Sequence, residues 1–192
     1  MPDPNPTALA FLQTRTSYPA KLMQGPTPDR AGLVPLLQAA ARSPDHGKLV
    51  PWRFIVLEKP ALLRLSGLAG DRGRALGLDA EQIAKGVGQY GRADLVVVVV
   101  VAPKPSPKVP PIEQTLSAAA VCLGLVNAAT AAGWAACWLS GWPSYDRGFV
   151  ETGLGLASTE TVAGVIHIGS QTAPLVERPR PDIDAITLWL AE

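Results

Sequence analysis

The chain has 192 residues, of which 47% are hydrophobic and 17% are charged, a composition typical of one folded domain rather than a disordered chain. Its formal net charge is +1, which excludes the strongly positive field of a typical nucleic-acid-binding domain. The two cysteines, Cys122 and Cys137, are too few for a disulfide framework, and we expect both to be reduced and buried. The first residues carry neither a basic start nor an apolar run, so we predict no signal peptide and a cytoplasmic protein.

The first half of the chain predicts several helices and one strand. Thr27-Pro28-Asp29 has the capping hydroxyl, the proline and the early acid that begin a helix, which Pro35 should then bend or delay. Trp52 opens an apolar run that predicts a strand. The predicted elements of this half are helices over 7–13, from 27 to 41, over 59–68 and over 79–90, and a strand over 52–57.

Six consecutive valines dominate the second half and predict a strand that is buried on both faces. Residues 114–145 carry no charge, but they are rich in Ala, Gly, Ser and Thr. We therefore expect a buried helix or a dimer seam there, not a membrane span. The predicted elements of this half are strands over 95–102, 135–139 and 161–168, an extended proline-rich connection over 103–111, helices over 116–132 and 145–154, and a tail over 173–191.

The segment Gly86-Val87-Gly88-Gln89-Tyr90-Gly91 has the glycine spacing of a dinucleotide-binding loop. Such a loop requires a strand before it and a helix that starts within it. Here a helical pattern leads into the glycines and the valine strand comes afterwards. We therefore interpret the match as accidental.

The two histidines do not suggest a metal site, because they lie far from each other and show no zinc-ligand spacing with the cysteines. His167 lies between two isoleucines in a predicted strand. A histidine in that position is usually a structural residue, and we leave it out of the predicted site.

A loop after the second predicted helix combines a cation, an imidazole and an aromatic ring. It reads Arg42-Ser43-Pro44-Asp45-His46, and the strand that follows opens with Pro51-Trp52-Arg53-Phe54. Such groups on a loop held by a strand favour a binding or catalytic site, and a solvated connection is the alternative.

This loop resembles the flavin-binding loop of the nitroreductase family, above all its small NAD(P)H nitroreductase branch. Three more stretches resemble that family in the same order: Arg15-Thr16-Ser17, the segment 133–141 and the segment 165–170. The resemblance implies an α+β fold, a three-layer sandwich in which helices flank a central, mainly antiparallel sheet. It also implies a single domain over residues 1–192.

The resemblance further implies the cofactor, the electron donor and the site. FMN would bind to a homodimer with composite active sites, and NADH or NADPH would deliver a hydride. No catalytic side chain is expected, because the flavin supplies the chemistry. The cofactor-binding residues implied by the family motifs are Arg15, Thr16, Ser17, Arg42, His46, Trp138, Leu139 and Ser140.

The N-terminal motif would bind the flavin phosphate. The guanidinium of Arg15 offers a planar fork of donors, and the hydroxyl of Ser17 adds a short hydrogen bond. The alternative is an exposed polar turn. Thr16 stands where relatives have a second basic residue, so one phosphate or ring contact would be weaker or would be supplied by another cation. The candidates are Lys21, Arg178 and Arg180.

The two later motifs would contact the flavin ring. Arg42 and His46 would reach the flavin bound by the opposite subunit, where Arg42 would stabilise the negative charge of the reduced form. Leu139 and Ser140 would lie along the ring edge. The alternatives are that His46 caps the preceding helix and that Trp138 is a core residue.

The implied function is that of an FMN-dependent oxidoreductase. Hydride would pass from NAD(P)H through flavin N5 to a small acceptor such as a nitroaromatic or a quinone. Another flavin reaction on the same fold stays open, for example that of a dehydrogenase, a dehalogenase or a flavin-consuming enzyme. A flavin-binding scaffold without turnover also stays open, and the departure at Thr16 favours it.

Overall fold

The computed structural model describes residues 3–175 and 177–191, and these form an antiparallel five-stranded sheet with helices against both faces. The α+β sandwich predicted from the sequence is confirmed. The strands are β1 (Met23–Gln24), β2 (Trp52–Glu58), β3 (Leu95–Val101), β4 (Ala135–Leu139) and β5 (Thr161–Gln171). The helices are α1 (Pro6–Thr14), α2 (Arg30–Ala40), α3 (Lys59–Ala75), α4 (Ala80–Gly91), α5 (Pro111–Ala131) and α6 (Arg147–Leu154).

The valine strand β3 lies inside the sheet and divides the core into two layers. It pairs with β2 on one side and β5 on the other, while β4 and β1 both pair with the far edge of β5. Because side chains alternate along a strand, Val97 and Val99 pack against α2 and α5. Val96 and Val98 pack on the opposite face, against α3 and α6. All four side chains are fully buried, as the apolar run predicts.

Several element boundaries differ from the sequence prediction. Helix α2 begins at Arg30, because the carboxylate of Asp29 caps it by accepting the Gly32 N–H at 2.8 Å; Thr27 lies outside the helix. Helix α3 continues beyond Leu68 to Ala75, since its glycine-rich second half packs closely on α4, and tertiary packing outweighs the low helix propensity of glycine.

Three further differences lie in the second half of the chain and at its N-terminal end. Helix α5 begins at Pro111, because proline is well tolerated in a first turn. Strand β5 extends to Gln171, where its last residues pair with β1. The two-residue strand β1 was not predicted, because its only distinguishing feature is this long-range pairing.

Helix α5 is long and apolar enough to cross a membrane by length and composition alone. One of its sides is buried in the core layer shared with β3, β4 and α2, as Val121 and Leu125 show. Its other side exposes Ile112, Leu116 and Leu123. A core helix with one further apolar face passes the same composition test as a membrane span.

Candidate functional site

A cavity of about 630 Å³ lies between helix α4 and the end of strand β4, and we call it the α4–β4 cavity. This volume falls within the range of about 300–1,000 Å³ that is usual for small-molecule sites. The walls come from α4, from the turn after β4, from β5 and from two segments that are distant in sequence. The lining residues used below are Lys21, Gln89, Arg92, Leu139, Ser140, Gly141, His167 and Arg178.

The charge on this cavity is strongly unbalanced. Four cations line it, Lys21, Lys85, Arg92 and Arg178, against the single carboxylate of Glu81. That carboxylate is paired with Lys85 at 2.7 Å. The other three cations form no ion pair with a carboxylate in the described part of the chain. The cavity can therefore accept an anionic group such as a phosphate.

The predicted phosphate residues Arg15 and Ser17 do not line this cavity, although Pro19 and Ala20, which follow them in the chain, do. The Arg15 Nη2 donates to the Ser17 Oγ at 3.1 Å, while the Arg15 Nε is buried without a partner among the described residues. The Arg15 carbonyl accepts a hydrogen bond from the Arg180 guanidinium at 3.3 Å. This contact ties the basic C-terminal segment to the N-terminal loop, and Arg178 of that segment lines the cavity.

The turn after β4 brings backbone to the cavity wall. Leu139 and Ser140 line the wall together with Gly141. A Cβ at Gly141 would lie 2.3 Å from the Gln89 Oε1, so any larger residue there would displace the end of the Gln89 side chain. The Gln89 Nε2 is buried and has no hydrogen-bond partner among the described residues. This wall therefore offers an unused donor.

His167 belongs to the same wall, although the sequence prediction left it out. Its side chain is buried, and burial lowers the pKa of its imidazole from 6.5 to about 4, so the ring is neutral at neutral pH. The alternation of side chains along the strands could have identified His167 as a residue of this wall. Cys137 pairs with His167, so Leu139 and His167 are on one face of the sheet.

Two other predicted site residues lie elsewhere. Trp138 is on the opposite face of the sheet, where its indole fills the space beside Gly164 and Cys122 of helix α5. Thr16 lines a separate cleft with Tyr18 and Trp134. The structure therefore does not bring either side chain to the α4–β4 cavity.

Arg42 and His46 are also remote from the cavity wall within one chain. The His46 Nδ1 lies 2.6 Å from the Glu113 carboxylate, at the first turn of helix α5. Arg42 is exposed and forms no ion pair in the described ranges. His46 therefore borders the exposed side of α5, where it lines a shallow cleft with Glu113 and Leu116.

The residues of the α4–β4 cavity fit a flavin mononucleotide. Three cations without carboxylate partners in the described residues suit a phosphate. The unpartnered nitrogen atoms of Gln89 and His167 suit the polar atoms of a flavin ring or a ribityl chain, and Gly141 allows close approach. Four other cavities among the described residues do not combine these three properties.

Comparisons with known proteins give a consistent result. The model of the Nitroreductase family matches residues 13–170. A "Putative NAD(P)H nitroreductase" from Haemophilus influenzae is 39% identical over 165 residues, which cover 85% of this chain and 88% of that protein. A nitroreductase-like family protein from Bacillus cereus has a TM-score of 0.76 at 19% identity, with 100% of both chains covered. A nitroreductase with bound FMN from Bacteroides fragilis has a TM-score of 0.72 at 21% identity, with 95% of this chain and 98% of that chain covered.

Proposed function

This chain belongs to the nitroreductase family and is an oxidoreductase, and we propose that it binds FMN in the α4–β4 cavity and uses NADH or NADPH to reduce a small acceptor. The observation that carries the proposal is the set of Lys21, Arg92 and Arg178, which face one ligand-sized cavity without a carboxylate partner among the described residues. Bound there, the flavin would take a hydride at N5 from the nicotinamide and pass it to the acceptor.

In this proposal the side chains of the chain bind and position the FMN. Lys21 and Arg178 bind the phosphate. Arg15 and Ser17 hold the loop that carries Lys21, and Arg15 also anchors the basic C-terminal segment through its carbonyl. Ser140 and the backbone around it border the polar edge of the ring.

We also propose a homodimer, because one chain leaves an unusual amount of apolar surface exposed. The outer side of α5 carries Leu116 and Leu123, and the C-terminal segment carries a further group of large apolar side chains with exposures of 62–84%. The residues of that group are Ile183, Ile186, Leu188, Trp189 and Leu190. Exposed apolar patches of this size usually mark a protein interface. Covering α5 would bring Arg42 and His46 of one subunit towards the other and complete a composite site.

Two alternatives were left open, a flavin-binding scaffold without turnover and a different flavin reaction, and the structure bears on each in a different way. The scaffold without turnover depended on the missing charge at Thr16, but Thr16 faces another cleft and the cavity holds other cations. This weakens the argument for a scaffold. A different flavin reaction is compatible with the same cavity. We propose a nitroaromatic as the acceptor because the relatives are named as nitroreductases, and a quinone as a second candidate.

The visible spectrum of the purified protein tests the proposal. We expect flavin absorption bands that bleach when NADPH or NADH is added without oxygen and return when a nitroaromatic or a quinone follows. Heat release and chromatography should recover FMN and not FAD, because the cavity offers no helix-opening glycine loop for a pyrophosphate. A protein that stays colourless after reconstitution with FMN would refute the proposal.

We further propose that the protein works in the cytoplasm. Cys122 and Cys137 are both free and buried, which fits a reducing compartment. Cell fractionation with an antibody against the protein tests this location, and recovery in the membrane fraction would contradict it.

A further inference from the structure

His167 lies in the middle of strand β5 and is one of the residues that line the α4–β4 cavity. Its neighbours across the sheet are Val96 of β3 and Cys137 of β4. The residues before and after it, Ile166 and Ile168, belong to the core layer on the other face. The imidazole therefore lies on the cavity face of the sheet, where it is 4% exposed.

A histidine in this position is costly for the folded chain alone. Its Nε2 is buried and has no hydrogen-bond partner among residues 3–175 and 177–191. A buried polar atom without a partner destabilises a protein, whereas an apolar residue of similar size would pack there without penalty. A purely structural histidine would be expected to hydrogen-bond to a neighbouring backbone or side-chain group. The unmatched nitrogen therefore indicates a partner that is bound from the cavity.

We propose that His167 is a positioning residue that hydrogen-bonds an uncharged polar group of the bound flavin, either on its ring or on its ribityl chain. This inference rests on the proposed function. The imidazole is suited to an uncharged group because desolvation lowers its pKa to about 4, so it adds no positive charge at neutral pH. The phosphate is left to the cations, of which Lys21 and Arg178 line the same cavity.

The test compares His167→Leu with His167→Gln. Leucine has a similar volume but no polar atom, while the amide nitrogen of glutamine can take the place of the histidine Nε2. Apoprotein of each form is prepared by removing the flavin, and its thermal unfolding is followed by circular dichroism. Each apoprotein is then titrated with FMN, and the quenching of flavin fluorescence gives the dissociation constant.

We expect the two measurements to change in opposite directions for His167→Leu. Its apoprotein should be at least as stable as the wild-type apoprotein, because an unpartnered polar atom is removed. Its FMN affinity should fall about three- to tenfold, the usual effect of one lost hydrogen bond to a neutral group. His167→Gln should recover most of that affinity. A changed absorption spectrum of bound FMN assigns the contact to the ring, and an unchanged spectrum assigns it to the ribityl chain.

Two results would overturn the inference while leaving the proposed function intact. One is a His167→Leu protein that binds FMN as tightly as the wild type. The other is a His167→Leu apoprotein that loses stability and affinity together without recovery in His167→Gln, which is the behaviour of a structural residue. A wild-type apoprotein that binds no FMN would instead refute the proposed function, and this inference with it.

Discussion

The indole ring of Trp142 lies directly against the α-carbon of Gly86, and a Cβ at that glycine would come within 2.5 Å of the indole Nε1. The same Nε1 donates a hydrogen bond to the Gln82 carbonyl at 2.9 Å. Trp142 follows the turn after β4, so this contact fixes the distance between helix α4 and that turn. The width of the α4–β4 cavity therefore depends on a glycine that contributes no side chain.

Replacing this glycine should separate the two walls of the cavity. In Gly86→Ala the new methyl group displaces the indole, and overpacking of this kind costs about 1–3 kcal/mol, more than the roughly 1 kcal/mol that alanine gains in a helix. We expect a lower free energy of unfolding in urea and weaker FMN binding. Gly67→Ala is the matched control, because a Cβ there meets nothing within 4 Å. Equal stability of the two variants would contradict the packing argument.

Much of the fold can be predicted from local patterns. Strand β4 was predicted with its observed bounds, because Gly133 ends the preceding helix and the apolar run that follows is short. The start of α5 was missed, since a proline-rich segment gives no indication of where its extended part ends. The dinucleotide-like glycines could be explained only by packing. Gly86 makes room for Trp142, and neither residue indicates the other in the sequence.

The site was less predictable than the fold, because a cavity joins residues that are distant in the chain. Ser140 and Leu139 were identified from a family motif, and the structure places both on the cavity wall. His167 was set aside, because one histidine in an apolar strand is usually structural, and only the pairing of β4 with β5 shows which face it occupies. Arg42 and His46 were expected from an opposite subunit, and their contact with a flavin stays a prediction.

The ion pair between Arg53 and Glu160 should make stability depend on pH in acid. The Arg53 Nε and Nη2 each donate to the carboxylate at 2.7 Å, and these bonds lower the pKa of Glu160 from 4.5 to about 2. Because the folded pKa is the lower one, this stabilisation is complete above pH 4.5 and is lost as the pH falls towards 2. We expect Glu160→Gln to lower the free energy of unfolding in urea by about 1–2 kcal/mol at pH 7. Below pH 4.5 this difference from the wild type should become progressively smaller.

A second carboxylate provides the control for this measurement. Glu151 accepts from Arg147 at 2.6 Å within helix α6, but both side chains are more exposed than Glu160. Exposed pairs at this spacing contribute only about 0.3–0.5 kcal/mol, so Glu151→Gln should change little at any pH. If Glu160→Gln lowers the free energy of unfolding as much at pH 3 as at pH 7, the loss does not come from the ion pair.

A charge on the exposed side of α5 should separate the proposed dimer. Leu116 is 60% exposed in one chain, and Leu116→Lys would place an ammonium group inside the expected interface. We expect size-exclusion chromatography with light scattering to show monomers. Leu63 of helix α3 has a similar exposure of 55% but lies away from α5, so Leu63→Lys should leave the dimer intact. A dimeric Leu116→Lys protein would exclude this face as the interface.

Composite sites predict that two chains with impaired activity can complement each other. Arg15→Ala damages the loop that carries Lys21, and Arg42→Ala removes a cation expected to reach the other subunit. In a mixed dimer the two lesions can fall on the same site, which leaves the second site free of both. Mixed and exchanged chains should therefore recover part of the nitroreductase activity measured by NADPH oxidation. No recovery, with exchange verified by differently tagged chains, would mean that Arg15 and Arg42 do not serve a shared site.

Arg42 should act on the redox equilibrium of the flavin more than on its binding. Its guanidinium is exposed within one chain and forms no ion pair in the described ranges, so it would be available to a flavin across the proposed dimer interface. A contact made mainly with the reduced, anionic form shifts the potential by its own free energy. Such a charge-assisted contact is worth roughly 1.5–3 kcal/mol, and about 1.4 kcal/mol corresponds to 30 mV for a two-electron couple.

Arg42→Ala should therefore lower the flavin potential by some tens of millivolts while the affinity for oxidised FMN changes little. Spectra recorded during equilibration with a reference dye give the potential, and fluorescence titration gives the affinity. Arg42→Lys keeps the positive charge but loses the planar fork of donors. We therefore expect its flavin potential to stay close to that of the wild type, whereas an uncharged replacement should lower it. An unchanged potential together with weakened FMN binding would mean that Arg42 only anchors the cofactor.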